Sequence, residues 1–96
     1  MEEKELYRQK MQAKLDEWKA ELDKIKAKAE GKDAEAKLEA NKKVKELETK
    51  IEEGQAKLDK LAKTSGDAWK SLKGGVDSAL ESLKSGVDDA IAKFKE

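Results

Sequence analysis

Ala29-Glu30-Gly31-Lys32-Asp33-Ala34 is the stretch on which the architecture of this chain depends. Before it, Met11, Leu15, Trp18, Leu22, Ile25 and Ala29 recur at steps of four and three, the spacing of a heptad seam. After it, Ala40, Val44, Leu47 and Ile51, then Gly54, Leu58 and Leu61, repeat the same steps. Carried forward in heptads, the first register puts Lys32, Ala36 and Lys43 on the seam, and of these only Ala36 is apolar. Counted this way the two runs are out of phase. Gly31 then has two readings. It can follow a helix end, with Asp33 capping the next helix. Or it can sit inside one long helix that shifts phase, at a cost of about 1 kcal/mol against Ala. A loop here would be very short, and no Pro or turn dipeptide supports it. The continuous helix is therefore the favoured expectation, with residues 1–63 as one coiled-coil region. About 60 helical residues give a rod of about 90 Å. Such a helix needs a partner for its seam.

A second boundary is clearer. Lys63-Thr64-Ser65-Gly66-Asp67 combines a glycine with hydroxyl and carboxylate caps, which predicts a turn over 64–66 and a new helix over 67–96. The last helix would fold back on the first as a hairpin. Its sequence repeats every eleven residues: Asp67-Ala68-Trp69-Lys70-Ser71-Leu72-Lys73-Gly74-Gly75-Val76-Asp77, then Ser78-Ala79-Leu80-Glu81-Ser82-Leu83-Lys84-Ser85-Gly86-Val87-Asp88, then a truncated copy ending in Phe94-Lys95-Glu96. Eleven residues make three turns, so each repeat position keeps one direction along the helix. Trp69, Leu72, Val76, Leu80, Leu83, Val87, Ile91 and Phe94 form one apolar face. Ala, Gly and Ser make one border, which favours close approach of another backbone. Lys73, Lys84 and Lys95 make the other, where an acidic surface or anionic headgroups could be met. This face is read first as the packed side of a helical hairpin or bundle, because amphipathic helices in such proteins usually bury their face internally, and alternatively as a contact surface for lipid.

Composition bounds the rest. Of 96 residues 46% are charged and 36% hydrophobic, which suits thin helical assemblies better than a thick core. Pro is absent and aromatic residues are 4%, so a sheet is not expected. Basic and acidic residues balance at 22 each, which argues against a nucleic-acid binder. Cys and His are absent, which removes thiol chemistry, disulfides and the commonest general base and metal ligand. No catalytic residue, cofactor site or metal site is expected. Glu52-Glu53 and Asp88-Asp89 are solvated neighbours on helices, and Gly74-Gly75 lacks the context of a phosphate loop. No apolar run is long enough to cross a membrane, and the charged start lacks a signal-peptide core. A cytoplasmic location is expected, with peripheral membrane attachment as the alternative.

The heptads rich in Lys and Glu, the Ala56-Lys57-Leu58 segment, and above all Ser65-Gly66-Asp67-Ala68-Trp69-Lys70-x-Leu72-Lys73-x-Gly75-Val76 resemble a family of small bacterial coiled-coil stress-response proteins. That resemblance implies a bacterial source and a role under stress, and carries no catalytic residue. The Gly31-Lys32-Asp33 stretch is more turn-like than that family's pattern. The eleven-residue period is also similar to the lipid-binding repeats of exchangeable apolipoproteins, synucleins and perilipins, and to desiccation-protection proteins. The resulting expectation is an all-α, non-enzymatic protein that self-associates through exposed seams, as a dimer, higher oligomer or filament. Lipid binding through the last helix is the first alternative, and a regulatory module paired with another helical protein is the second.

Overall fold

The computed structural model describes residues 2–94. It is all-helical, with no strand among the described residues: α1 (Glu3–Ala29), α2 (Ala34–Lys63) and α3 (Trp69–Lys93). The helices run up, down and up in a bundle of 52 × 20 × 17 Å. Antiparallel α1 and α2 are registered by Gln12 against Gln55 and Lys26 against Glu48. Antiparallel α2 and α3 are registered by Gly54 near Leu80 and Leu47 near Gly86.

The favoured continuous helix over 1–63 is therefore corrected: the chain reverses between Ala29 and Ala34. Its local means are those of the other reading. The last turn of α1 tightens into i→i+3 bonds, Gly31 N–H to Lys28 O at 3.2 Å and Lys32 N–H to Ala29 O at 3.0 Å. Asp33 then leaves the helix at ψ 169°, and its Oδ1 accepts the Ala36 N–H at 2.9 Å, opening α2. The reason is one of magnitude. Interrupting the helix gives up a few backbone hydrogen bonds, each worth about 1 kcal/mol net. Folding back buries whole leucines at about 1.5–3 kcal/mol apiece, without recruiting a second molecule.

The second reversal occurs where the sequence predicts one, though α3 starts at Trp69 rather than Asp67. Thr64 is extended, and Gly66 takes a left-handed φ of 61° that favours glycine. Thr64 does not cap α3 as anticipated: its hydroxyl donates back to Lys60 O at 2.9 Å. No side chain caps the first residue ahead of α3, Ala68. Lys4 instead closes the corner from across the bundle, its ammonium donating to Thr64 O at 2.9 Å at the negative end of α2.

Each helix contributes six buried apolar side chains to a single core, and among the described residues no polar side chain is buried with them. All the expected seam residues are in it: Met11, Leu15, Trp18, Leu22 and Ile25 of α1, and Val44, Leu47, Ile51, Leu58 and Leu61 of α2. The seams expected to be exposed are thus occupied within one chain. Among the described residues Leu6 and Leu38 are the large hydrophobic side chains left exposed, and they lie apart, on α1 and α2.

Candidate functional site

The apolar face of α3 is the surface that the repeat marks as the defining contact, and it turns inward. Trp69, Val76, Leu80, Leu83 and Val87 are buried, and Leu72, Ile91 and Phe94 are half-buried against the same core. Its partners are α1 and α2 of the same chain.

The two borders of that face behave differently from one another and from expectation. On the small-residue border Gly86 is needed for close approach: a Cβ there would lie 2.9 Å from a Leu47 methyl. Gly54 on α2 plays a comparable part where three helices converge, with Leu15 and Leu80 at 3.4 and 3.5 Å from the place its Cβ would take. Gly74 and Gly75 do not; a Cβ at either would meet nothing within 4 Å, and Ser71 and Ser82 are exposed. The expectation that Gly75 belongs to a close-packing strip is corrected accordingly.

On the cationic border, Lys73 and Lys84 are exposed but engaged. The Lys73 ammonium sits 5.3 Å from the centroid of the Tyr7 ring. Lys84 pairs with Asp88 at 3.2 Å one turn on. Lys95 lies outside the described residues. The border alternates with Asp77 and Asp88 and is not a field of one sign.

Two polar features join the helices at positions that sequence reasoning did not single out. Tyr7 stands four residues before Met11, and so continues the α1 seam outward by one turn. Its ring lies against Trp69, with centroids 5.9 Å apart at 39°. Its hydroxyl donates to the Asp77 carboxylate, with Lys73 O at 3.3 Å. Partial burial raises the Tyr7 pKa above the ordinary tyrosine value, and the bond to Asp77 and that carboxylate's charge push it the same way. The second feature is a reciprocal amide pair. Gln12 donates to Gln55 at 2.9 Å and Gln55 donates back at 2.7 Å, bordering the α1–α2 seam. Each amide is held by an acid one turn on, Asp16 and Asp59, at 3.0 Å. Spacing alone could not pair these two glutamines, because their contact depends on where the chain reverses.

The remaining charges are solvated. Arg8 and Glu5 form a two-pronged ion pair at 2.7 Å, whose hydrogen bond lowers the Glu5 pKa and raises that of Arg8. Lys93 pairs with Glu39 across α3 and α2. Among the described residues no three acidic groups converge to hold a metal ion. A recess of about 270 Å³ lies at the Gly31 end, lined by Ile25, Ala29, Ala36, Ala40 and Phe94 with lysines and one glutamate at its rim. No helix of the described residues is long and apolar enough to cross a membrane. The chain matches no known protein family, no curated protein and no solved structure.

Proposed function

We propose that this chain is a non-catalytic structural protein that works by helix-to-helix packing and self-associates through its heptad seams. One observation carries the reading. The buried side chains, six from each helix, are all apolar and stand in matched seams, so the chemistry of this molecule is concentrated in helix pairing. A seam built of Met11, Leu15, Trp18, Leu22 and Ile25 accepts α2 of its own chain, and it accepts an identical α2 from another copy equally well. Sedimentation equilibrium over a concentration series tests this. The expected result is 10.7 kDa at the dilute end and a rising average mass on concentration. A constant 10.7 kDa up to millimolar protein would refute it.

A second reading, reversible lipid binding through α3, is favoured by Gly74 and Gly75. Their missing side chains serve no contact, yet each weakens the helix by up to about 1 kcal/mol. That leaves α3 the least costly helix to release, with Trp69 at its start as a reporter. Trp69 is already buried in the free bundle, so the readout is quenching: anionic vesicles with brominated acyl chains added to a Trp18→Phe variant should quench Trp69 emission, and salt should restore it. An unchanged spectrum rejects it.

A further inference from the structure

We propose that two copies of this chain exchange α1, by straightening the α1–α2 turn at Asp33 into one continuous helix. The proposal rests on the self-association reading and says which contact produces it.

The two reversals of the chain differ in how firmly they are set. The α2–α3 corner holds Gly66 at φ 61° and is pinned by Lys4 on Thr64 O. A left-handed residue cannot join a right-handed helix without a large change of backbone. At the α1–α2 turn Gly31 is not left-handed, nor are Glu30 and Asp33. Glu30 is helical at φ −60°, ψ −26°, and Gly31 and Lys32 already bond back into α1. Asp33 has a helical φ of −67°, and departs from the helix in ψ, at 169°. Rotation there and at the adjoining Lys32 bend merges α1 and α2. Ordinary helical bonds replace the i→i+3 ones and the Asp33 cap.

The sequence across the turn suits the merged helix. Ala29 and Ala40 are eleven residues apart, three full turns, the period that α3 also uses. At about 100° per residue, Leu22, Ile25, Ala29, Ala40, Val44 and Leu47 all fall within about 100° of one another, with Ala36 between them. The runs that are out of phase in heptads are in phase on a straight helix. A hairpin does not require this, because its turn resets the phase of the second helix. A continuous helix does require it, since both halves of one stripe must face one partner.

Exchange keeps every packing contact. In each lobe of the dimer, α1 of one copy lies in the groove between α2 and α3 of the other, and the Gln12–Gln55 pair forms between copies. The two merged helices run antiparallel about a twofold axis, which closes the assembly at two chains.

The test uses Ala34→Pro. Ala34 is exposed, is the first residue of α2, and follows a residue already in the extended backbone that precedes proline. Proline therefore suits the closed bundle and breaks the merged helix. At a concentration where the unaltered chain is mostly dimeric, Ala34→Pro should keep its helicity and sediment as a monomer. In parallel, a Gln12→Cys/Gln55→Cys chain, in a protein with no other cysteine, is treated with a short bismaleimide. The dimer fraction should link into a product of twice the chain mass, and the monomer fraction into a product of single mass. Dimers that persist at full strength in Ala34→Pro, or that link only within chains, overturn the exchange and leave self-association standing. If Ala34→Pro loses helicity, the linkage pattern decides. A chain that never dimerises overturns both.

Discussion

A methyl group added at Gly74 and one added at Gly86 should affect stability differently, and the difference measures how closely α3 sits on α2. Both glycines are inside α3, where Gly→Ala gains about 0.5–1 kcal/mol from backbone entropy and helix propensity. At Gly74 the new methyl meets nothing within 4 Å, so the whole gain is realised. For a chain of this length that raises Tm by about 2–8 °C. At Gly86 the methyl would stand 2.9 Å from Leu47 Cδ2, well inside the separation of about 3.5–4.0 Å at which carbons attract. Leu47 is 1% exposed and has no solvent to move into. Its displacement into packed neighbours costs about 1–3 kcal/mol. Gly86→Ala should therefore be neutral to about 2 kcal/mol destabilising, leaving the two variants about 1–3 kcal/mol apart. Urea unfolding followed by far-ultraviolet circular dichroism reads this as a separation in midpoint at unchanged slope. If Gly86→Ala stabilises as much as Gly74→Ala, α3 does not approach α2 as described.

Other perturbations probe the remaining contacts. Leu58→Ala, at a fully buried α2 position, should cost about 2–5 kcal/mol in the same assay, while Leu38→Ala, at a side chain 70% exposed, should stay within about 0.5 kcal/mol. Asp33→Ala removes the cap on α2 and should cost about 0.5–2 kcal/mol in dilute protein. Tyr7 is the sole tyrosine, so absorbance at 295 nm follows it alone; its folded pKa is raised, so its midpoint should lie above the ordinary value of about 10. The sign follows from linkage: the stabilisation is complete below the unfolded pKa and is lost as pH rises from there through the folded one, a loss that Tyr7→Phe should abolish. A double-mutant cycle on Gln12 and Gln55 should give a coupling of about 0.5–1 kcal/mol, and none if the amide pair does not form.

The helices and their buried faces are legible in the sequence because they rest on periodicity. Every seam residue named from the four-and-three spacing is in the core, as are Trp69, Val76, Leu80, Leu83 and Val87 from the eleven-residue spacing. What is not legible is the partner of each face. A stripe such as Leu15–Trp18–Leu22 specifies that something apolar covers it, but α2 of the same chain and α2 of another copy offer identical chemistry. The turn at Gly31 was obscured for a related reason. Glu30, Gly31 and Lys32 keep i→i+3 bonding to within a residue of the reversal, so the local signals for a break are limited to Gly31 and the Asp33 cap, with no Pro or turn dipeptide beside them. The heptad count also misled: it registers the step from Ala29 to Ala40 as a slip, although eleven residues preserve direction on a helix. The inward turn of the α3 face follows from its apolar stripe and the folded-back helix. Which border glycine meets a neighbour does not, because whether Gly75 or Gly86 is in contact depends on the rotation of α3 about its axis, which a symmetric repeat leaves open.

On the proposed reading one set of seams closes the chain on itself and also joins it to a second copy, and small-angle X-ray scattering along a dilution series separates that reading from its alternatives. At the dilute end the radius of gyration should approach that of the closed bundle, 15.4 Å over Cα atoms, slightly enlarged by side chains and hydration. On concentration the forward scattering should double per unit mass, and the particle should lengthen well beyond 52 Å as two lobes align end to end. A radius and forward scattering that stay constant across the series would contradict self-association. A rod of about 90 Å at the lowest concentration, the length of a straight helix of about 60 residues, would contradict the closed bundle itself.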